Sequence, residues 1–122
     1  MLIFTKLRGS STTESPFRPA ALVPAFRCET WVGDVVRGLL RHVPEVLVVD
    51  DGSEDLTSEA AREAGAKVHR RETNGGKGRA MRDGIGLLLR GNWTHVAFVA
   101  GARQHDPDDL PTPLAAAPSG AG

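Results

Sequence analysis

Two adjacent aspartates at the end of an apolar run are the side chains with the clearest chemical potential in this sequence. Residues 45–55 read EVLVVDDGSED, so Val46, Leu47, Val48 and Val49 lead directly into Asp50, Asp51, Gly52 and Ser53. A run that is apolar on both faces and rich in β-branched residues is the pattern of a strand buried in a parallel sheet. Ligands of open α/β sheets sit beyond the carboxyl ends of such strands, which is where the two carboxylates fall. Gly52 permits the turn, and Ser53 is placed to cap the next helix. The same four residues also suit an ordinary strand-to-helix turn, with Asp50 positioning it, and the residues alone do not separate the two. A second stretch, Asn74, Gly75, Gly76, Lys77 and Gly78, is a glycine-rich loop, and a third reads Gln104, His105, Asp106 and Pro107.

Other reactive residue types offer less. His42, His69 and His95 fall at element ends, and their scatter builds no metal site. Cys28 has no histidine near it in sequence and reads as a passive small residue. Trp31 and Trp93 flank elements and read as packing residues. The Arg70-Arg71 pair reads as a solvated strand end.

Four strands and three helices must position these residues. Residues 20–25 (AALVPA) form a first strand that Pro24 brings to its end, because proline cannot donate to a central ladder. Thr30 is the expected N-cap of a helix over residues 30–42. Its stripe of Val32, Val35, Val36, Leu39 and Leu40 has helical spacing. The strand before Asp50 follows. Residues 56–64 form a second helix closed by Gly65, and residues 67–71 form a short polar strand at a sheet edge. Residues 79–89 form a third helix with Met81, Ile85, Leu88 and Leu89 as its stripe, and residues 95–100 form the fourth strand. Strands alternating with amphipathic helices imply parallel pairing through right-handed crossovers. The expected spatial order of the four strands is 3-2-1-4, with the loops at Phe26, Asp51 and Ala100 converging on a ligand.

The composition limits the alternatives. The chain has 122 residues, enough for one domain, and its 15 basic residues balance 15 acidic ones. That balance gives no charge case for nucleic acid or an anionic membrane surface. A single cysteine excludes an internal disulfide and a cysteine-based zinc cluster. No apolar run has the length of a membrane span, and the N-terminal apolar run is too short for a secretory signal. The expected location is cytoplasmic or membrane-peripheral. Residues 1–19 read as a loose leader, residues 20–110 as the domain, and residues 111–122 (TPLAAAPSGAG after Pro111) as a disordered tail. The sharp change of composition at the tail suggests a truncation or a reading-frame product.

Val23-Pro24-Ala25-Phe26, Val48 to Ser53, Asn74 to Gly78 and Gln104-His105-Asp106-Pro107 recur in an order and spacing that resembles the donor-binding half of family 2 glycosyltransferases. Within that family it resembles enzymes of the polyprenyl-phosphate (dolichyl-phosphate) mannosyl- or glucosyltransferase type. The resemblance implies the N-terminal half of a Rossmann-like, three-layer α/β nucleotide-diphospho-sugar transferase (GT-A) fold. It implies sugar transfer from a UDP- or GDP-linked donor to a polyprenyl phosphate or another acceptor. Pro24 and Phe26 match positions that line the nucleotide base, with Phe26 where the family usually has tyrosine. Asp51 matches the aspartate that accepts a hydrogen bond from the base, and Lys77 falls where a point charge meets the diphosphate.

The sequence also departs from that pattern. Arg27-Cys28 follow the aromatic residue where the family reads Asn-Glu, with Glu29 retained. The family's Mg or Mn is held by an Asp-x-Asp motif whose aspartates fall here on Ala100 and Ala102. Alanine supplies no oxygen ligand, and the spacing of His105, Asp106, Asp108 and Asp109 does not reproduce the motif. Arg103 could offset phosphate charge in place of metal. No residue matches the family's catalytic base. The expectation is therefore a truncated transferase domain of weak or no activity. A different class stays open: a non-catalytic nucleotide-binding module, or a subunit whose exposed sheet edge beside the fourth strand is covered by a protein partner.

Overall fold

The computed structural model describes residues 3–7 and 17–99. The chain runs β1 (Thr5–Lys6), β2 (Pro19–Ala25), α1 (Val32–Leu39), β3 (Val46–Asp50), α2 (Thr57–Glu63), β4 (Lys67–Arg70), α3 (Lys77–Leu89) and β5 (His95–Phe98). One sheet has the order β1-β5-β2-β3-β4, parallel throughout except for β1, which pairs antiparallel with β5. The four strands read from the sequence are β2 to β5, and they stand in the expected order. The α/β fold is thus a mostly parallel five-stranded sheet with helices on both faces. Among the described residues, no helix is long and apolar enough to cross a membrane.

Alternation along the strands decides which helix goes where. Ala21, Val23 and Ala25 of β2 and Val46 and Val48 of β3 pack with Val32, Val35, Val36 and Leu39 of α1 and Ala61 of α2. Ala20 and Leu22 of β2 and Leu47 and Val49 of β3 face the other way, onto Ala80 and Leu88 of α3. Each of these β2 and β3 residues is buried by one helical layer or the other, which is why the two strands carry no polar residue before Asp50.

Several local expectations need correction. Pro24 lies inside β2, in register with Val49, and does not end the strand. Ala21 and Ala25 bond toward β3 and Leu22 accepts from the Val99 amide on the β5 side. Alternation therefore points Pro24 toward β5, past Phe98, the last residue of that pairing, where no donor is required. Helix α1 begins after Trp31 with no side-chain cap, so Thr30 does not serve as one. It ends at Leu39, because three-residue turns from Gly38 to Arg41 and from Leu39 to His42 replace the helical ladder. Ser53 caps no helix either, since α2 starts only at Thr57.

The sheet edge beside the fourth strand is not bare. Within the segment read as a leader, Thr5 and Lys6 pair with Val96 and His95 of β5. Phe4 meets Phe17 edge to face at 5.5 Å, and Phe17 lies 4.7 Å from the His95 ring.

The buried line of α3 is Ala80, Gly84 and Leu88, with Met81 and Ile85 only partly buried and Leu89 41 % exposed. Small residues set this face. A Cβ on Gly84 would come within 2.9 Å of Leu22 Cδ2 and 3.1 Å of Val49 Cγ2, so α3 rests directly on the sheet. A Gly84→Val substitution is expected to overpack this contact and cost about 1–3 kcal/mol. Urea unfolding checks it, and an unchanged midpoint would contradict the tight contact.

Candidate functional site

The carboxyl ends of β2 and β3 lie side by side. Ala25 is in register with Asp50, and the Asp51 amide donates to the Ala25 carbonyl at 2.8 Å. The loops that leave these strands are joined by three side-chain bonds to backbone amides. Ser53 Oγ accepts from Arg27 N at 2.8 Å, Thr57 Oγ1 from Cys28 N at 2.9 Å, and Glu29 Oε1 from Leu56 N at 2.9 Å. Residues of the turn after β3 therefore hold the loop after β2. Arg27 takes a left-handed φ of 53°, a conformation that costs a non-glycine residue energy. Its guanidinium lies 5.1 Å from the Phe26 ring centre and 3.3 Å from Glu54, and Phe26 is left 40 % exposed at the strand end.

The two aspartates have separate tasks. Asp50 is fully buried; its Oδ1 accepts from Ser53 N at 3.0 Å and its Oδ2 from the Ser58 hydroxyl at 2.7 Å. It positions the turn, as one of the two sequence readings holds. Asp51 is also buried but turns to the glycine-rich loop. Its Oδ1 accepts from Arg71 Nε at 2.9 Å and Gly75 N at 3.0 Å, and its Oδ2 from Gly76 N at 2.8 Å. Gly76 has a φ of 93°, which only glycine adopts without strain, and Lys77 opens α3 directly after it. Lys77 is exposed and forms no ion pair with another described residue.

Pro24, Phe26, Asp51 and Lys77 thus all belong to the loops and strand ends on the carboxyl-end side of the parallel strands. Ala100, Ala102, Arg103, His105, Asp106, Asp108 and Asp109 lie outside the described residues. Among the described residues, no group of three or more histidine, cysteine or acidic side chains could hold a metal ion. The sequence has alanine at positions 100 and 102, and an alanine side chain offers a divalent metal no oxygen ligand.

The sequence reading missed two arginines. Arg70 Nη2 donates to the Ser53 carbonyl at 2.6 Å. Arg70 is exposed, as the sequence reading holds, but Arg71, its side chain only 16 % exposed, bridges Asp51 and Asp83 and is not a solvated strand end. The signal available was the acidic residue on each flanking element, but nothing local in the chain pairs them.

The pKa values of Asp55 and Cys28 are displaced. Partial burial pushes the Asp55 carboxyl up, but the Thr57 hydroxyl at 2.5 Å and amide at 3.0 Å outweigh it and hold the group below its usual 3.8. Burial raises the Cys28 thiol from 9.0 to about 11, against hydrogen bonds from the Phe26 backbone and Thr57 and with the help of the Asp50 and Asp55 charges. A thiol that stays protonated when folded but ionises near 9.0 when unfolded favours unfolding as pH rises. Its contribution is intact below pH 9 and is lost between pH 9 and about 11. The wild-type chain should therefore lose more stability than Cys28→Ala across that window, with a slope difference of up to about 1.4 kcal/mol per pH unit. Paired urea titrations at about pH 8 and about pH 10 measure it, and parallel curves would contradict the buried thiol.

Residues 20–117 match the family model described as glycosyl transferase family 2. An uncharacterised protein of Methanocaldococcus jannaschii is 36 % identical over 98 residues, which cover 75 % of this chain and 43 % of the relative. A second from the same organism is 36 % identical over 90 residues, covering 73 % of this chain and 37 % of the relative. The chain thus spans less than half the length of the curated relatives it matches. Glucosyl-3-phosphoglycerate synthase from Mycobacterium tuberculosis, solved with Mn2+, UDP and glucosyl-3-phosphoglycerate, superposes with a TM-score of 0.58 at 26 % identity, over 69 % of this chain and 33 % of that one. Mannosyl-3-phosphoglycerate synthase from Rubrobacter xylanophilus gives 0.51 at 27 % identity, over 58 % and 27 %. Its sheet corresponds to the N-terminal part of the GT-A fold, and the chain belongs to glycosyl transferase family 2.

Proposed function

We propose that residues 20–110 bind the nucleotide diphosphate of a sugar donor, with Asp51 accepting from the base, Phe26 and Pro24 lining it, and Lys77 facing the diphosphate. The observation that carries this reading is the buried Asp51 carboxylate between an exposed aromatic ring and a loop that opens onto a cationic helix start. A carboxylate has about four acceptor positions, and three are filled, so Oδ2 keeps one for a ring N–H. UDP is the favoured donor nucleotide, because the M. tuberculosis synthase is solved with UDP and with UDP-glucose.

Sugar transfer in this reading is an attack by an acceptor oxygen on the anomeric carbon, with the nucleotide diphosphate departing. The chain's own contribution is to hold that leaving group and balance its charge through Lys77. With Ala100 and Ala102 at the metal positions, the chain by itself is a weak or inactive transferase that retains donor binding. We favour a small phosphorylated acid such as phosphoglyceric acid over a polyprenyl phosphate as acceptor, a choice supported by the M. tuberculosis synthase solved with phosphoglyceric acid.

Calorimetric titration of the folded chain with UDP and GDP tests the reading. UDP is expected to bind, Asp51→Ala to weaken it by about tenfold or more, and Lys77→Ala to weaken it by a smaller, salt-sensitive factor. A chain that is folded by circular dichroism and binds neither nucleotide would contradict the proposal.

A further inference from the structure

We propose that Arg71 and Asp83 are positioning residues for the nucleotide pocket, acting through Asp51 and the glycine-rich loop. The inference rests on the reading of Asp51 as the base acceptor and goes on to say what aims it. The direction of the one open acceptor position on Asp51 is set by the three donors on the others, Arg71 Nε, Gly75 N and Gly76 N. Two of these sit on glycines, whose backbone loses the most freedom on ordering. They cannot fix the carboxylate unless something fixes them.

Arg71 is the third donor, and it is anchored at both ends. Its amide donates to the Asp50 carbonyl at 2.8 Å, which extends the β4 ladder onto β3. Its Nη1 bonds Asp83 Oδ2, one turn and a half into α3, and His69 Nε2 lies 3.7 Å from the same oxygen. A guanidinium can bond one carboxylate through Nε and a second through Nη1 in a fixed plane, which an ammonium cannot. Gly75 is part of the same fit, since a Cβ there would run into Arg71 Nη2 and come within 2.9 Å of Arg79 Cδ. The end of β3, the glycine-rich loop and α3 are therefore tied together through one side chain. Neither Arg71 nor Asp83 need touch the ligand.

Amide hydrogen exchange by NMR on the full chain, combined with UDP titration, tests this. Asp83→Ala introduces a better helix former, so the fold is expected to survive. It should speed exchange at Gly75 and Gly76 by about tenfold or more and weaken UDP by a similar factor, while Val48 in the middle of β3 keeps its protection. Asp83→Asn keeps an oxygen that accepts from Arg71 and should recover much of both effects. Arg71→Lys should behave like Asp83→Ala. Unchanged exchange at Gly75 and Gly76 in Asp83→Ala and Arg71→Lys would overturn the inference, as would a loosened loop with undiminished UDP binding. A wild-type chain that binds neither UDP nor GDP overturns the nucleotide reading and this inference with it. A wild type that binds, with variants that bind equally well, overturns this inference alone.

Discussion

The site is organised by the burial of two neighbouring carboxylates at one strand end. Removing a carboxylate from water is costly unless hydrogen bonds replace its hydration. Because side chains alternate across a strand, Asp50 and Asp51 meet that need in different directions. Asp50 draws in Ser53 and Ser58, so the turn and the first turn of α2 close on the sheet. Asp51 draws in Arg71 and the glycine-rich loop, so the start of α3 closes on it from elsewhere. Among the described residues, no buried side-chain nitrogen or oxygen is left without a partner.

The loop after β2 is held by the same economy. Its amides at Arg27 and Cys28 are taken by Ser53 and Thr57. That pairing explains the left-handed Arg27. A strained residue of this kind costs on the order of 1–3 kcal/mol and persists only where its surroundings over-determine it. Here they include the Ser53 bond, the Glu54 contact and the Phe26 ring. The result is an aromatic ring held outward at the strand end beside a buried acid, a juxtaposition that the packing of a core alone would not produce.

How much of this could be read in advance depended on the range of the interactions. The buried strands were legible, since Val46 to Val49 admit water on neither face, and their alternation with helices gave the order of β2 to β5. The buried face of α3 was not, because Ala80 and Gly84 carry it by being small, while a stripe of large residues points to Leu89, which is exposed. Strand β1 was missed because two polar residues after a short apolar run have no period, and their partners lie about ninety residues on. Arg71 was misread for a similar reason. An arginine after an edge strand resembles a solvated end, and only the folded chain brings it to Asp51 and Asp83, 20 and 12 residues away. Ser53 had the right chemistry for a cap but found an amide across the loops instead of in its own helix.

The same bonds constrain how the site can meet a diphosphate. Glycine-rich loops commonly offer their amides to phosphate, but here two amides of the loop, at Gly75 and Gly76, are already donated to Asp51. Neutralising a diphosphate then falls to side-chain cations and to the start of α3, which has no acidic residue in its first turn. Lys77 and Arg79 are the cations there, and neither is ion-paired to another described residue. In the proposed register, positions 100 and 102 are alanines, which offer no oxygens through which a divalent ion would share the task. In the nucleotide reading, specificity is accordingly set by the rigid carboxylate and its anchors, whereas affinity for the phosphates rests on flexible surface charges that salt screens. Base selection should therefore survive changes of ionic strength that weaken the grip on the diphosphate, because the two depend on physically separate parts of the fold.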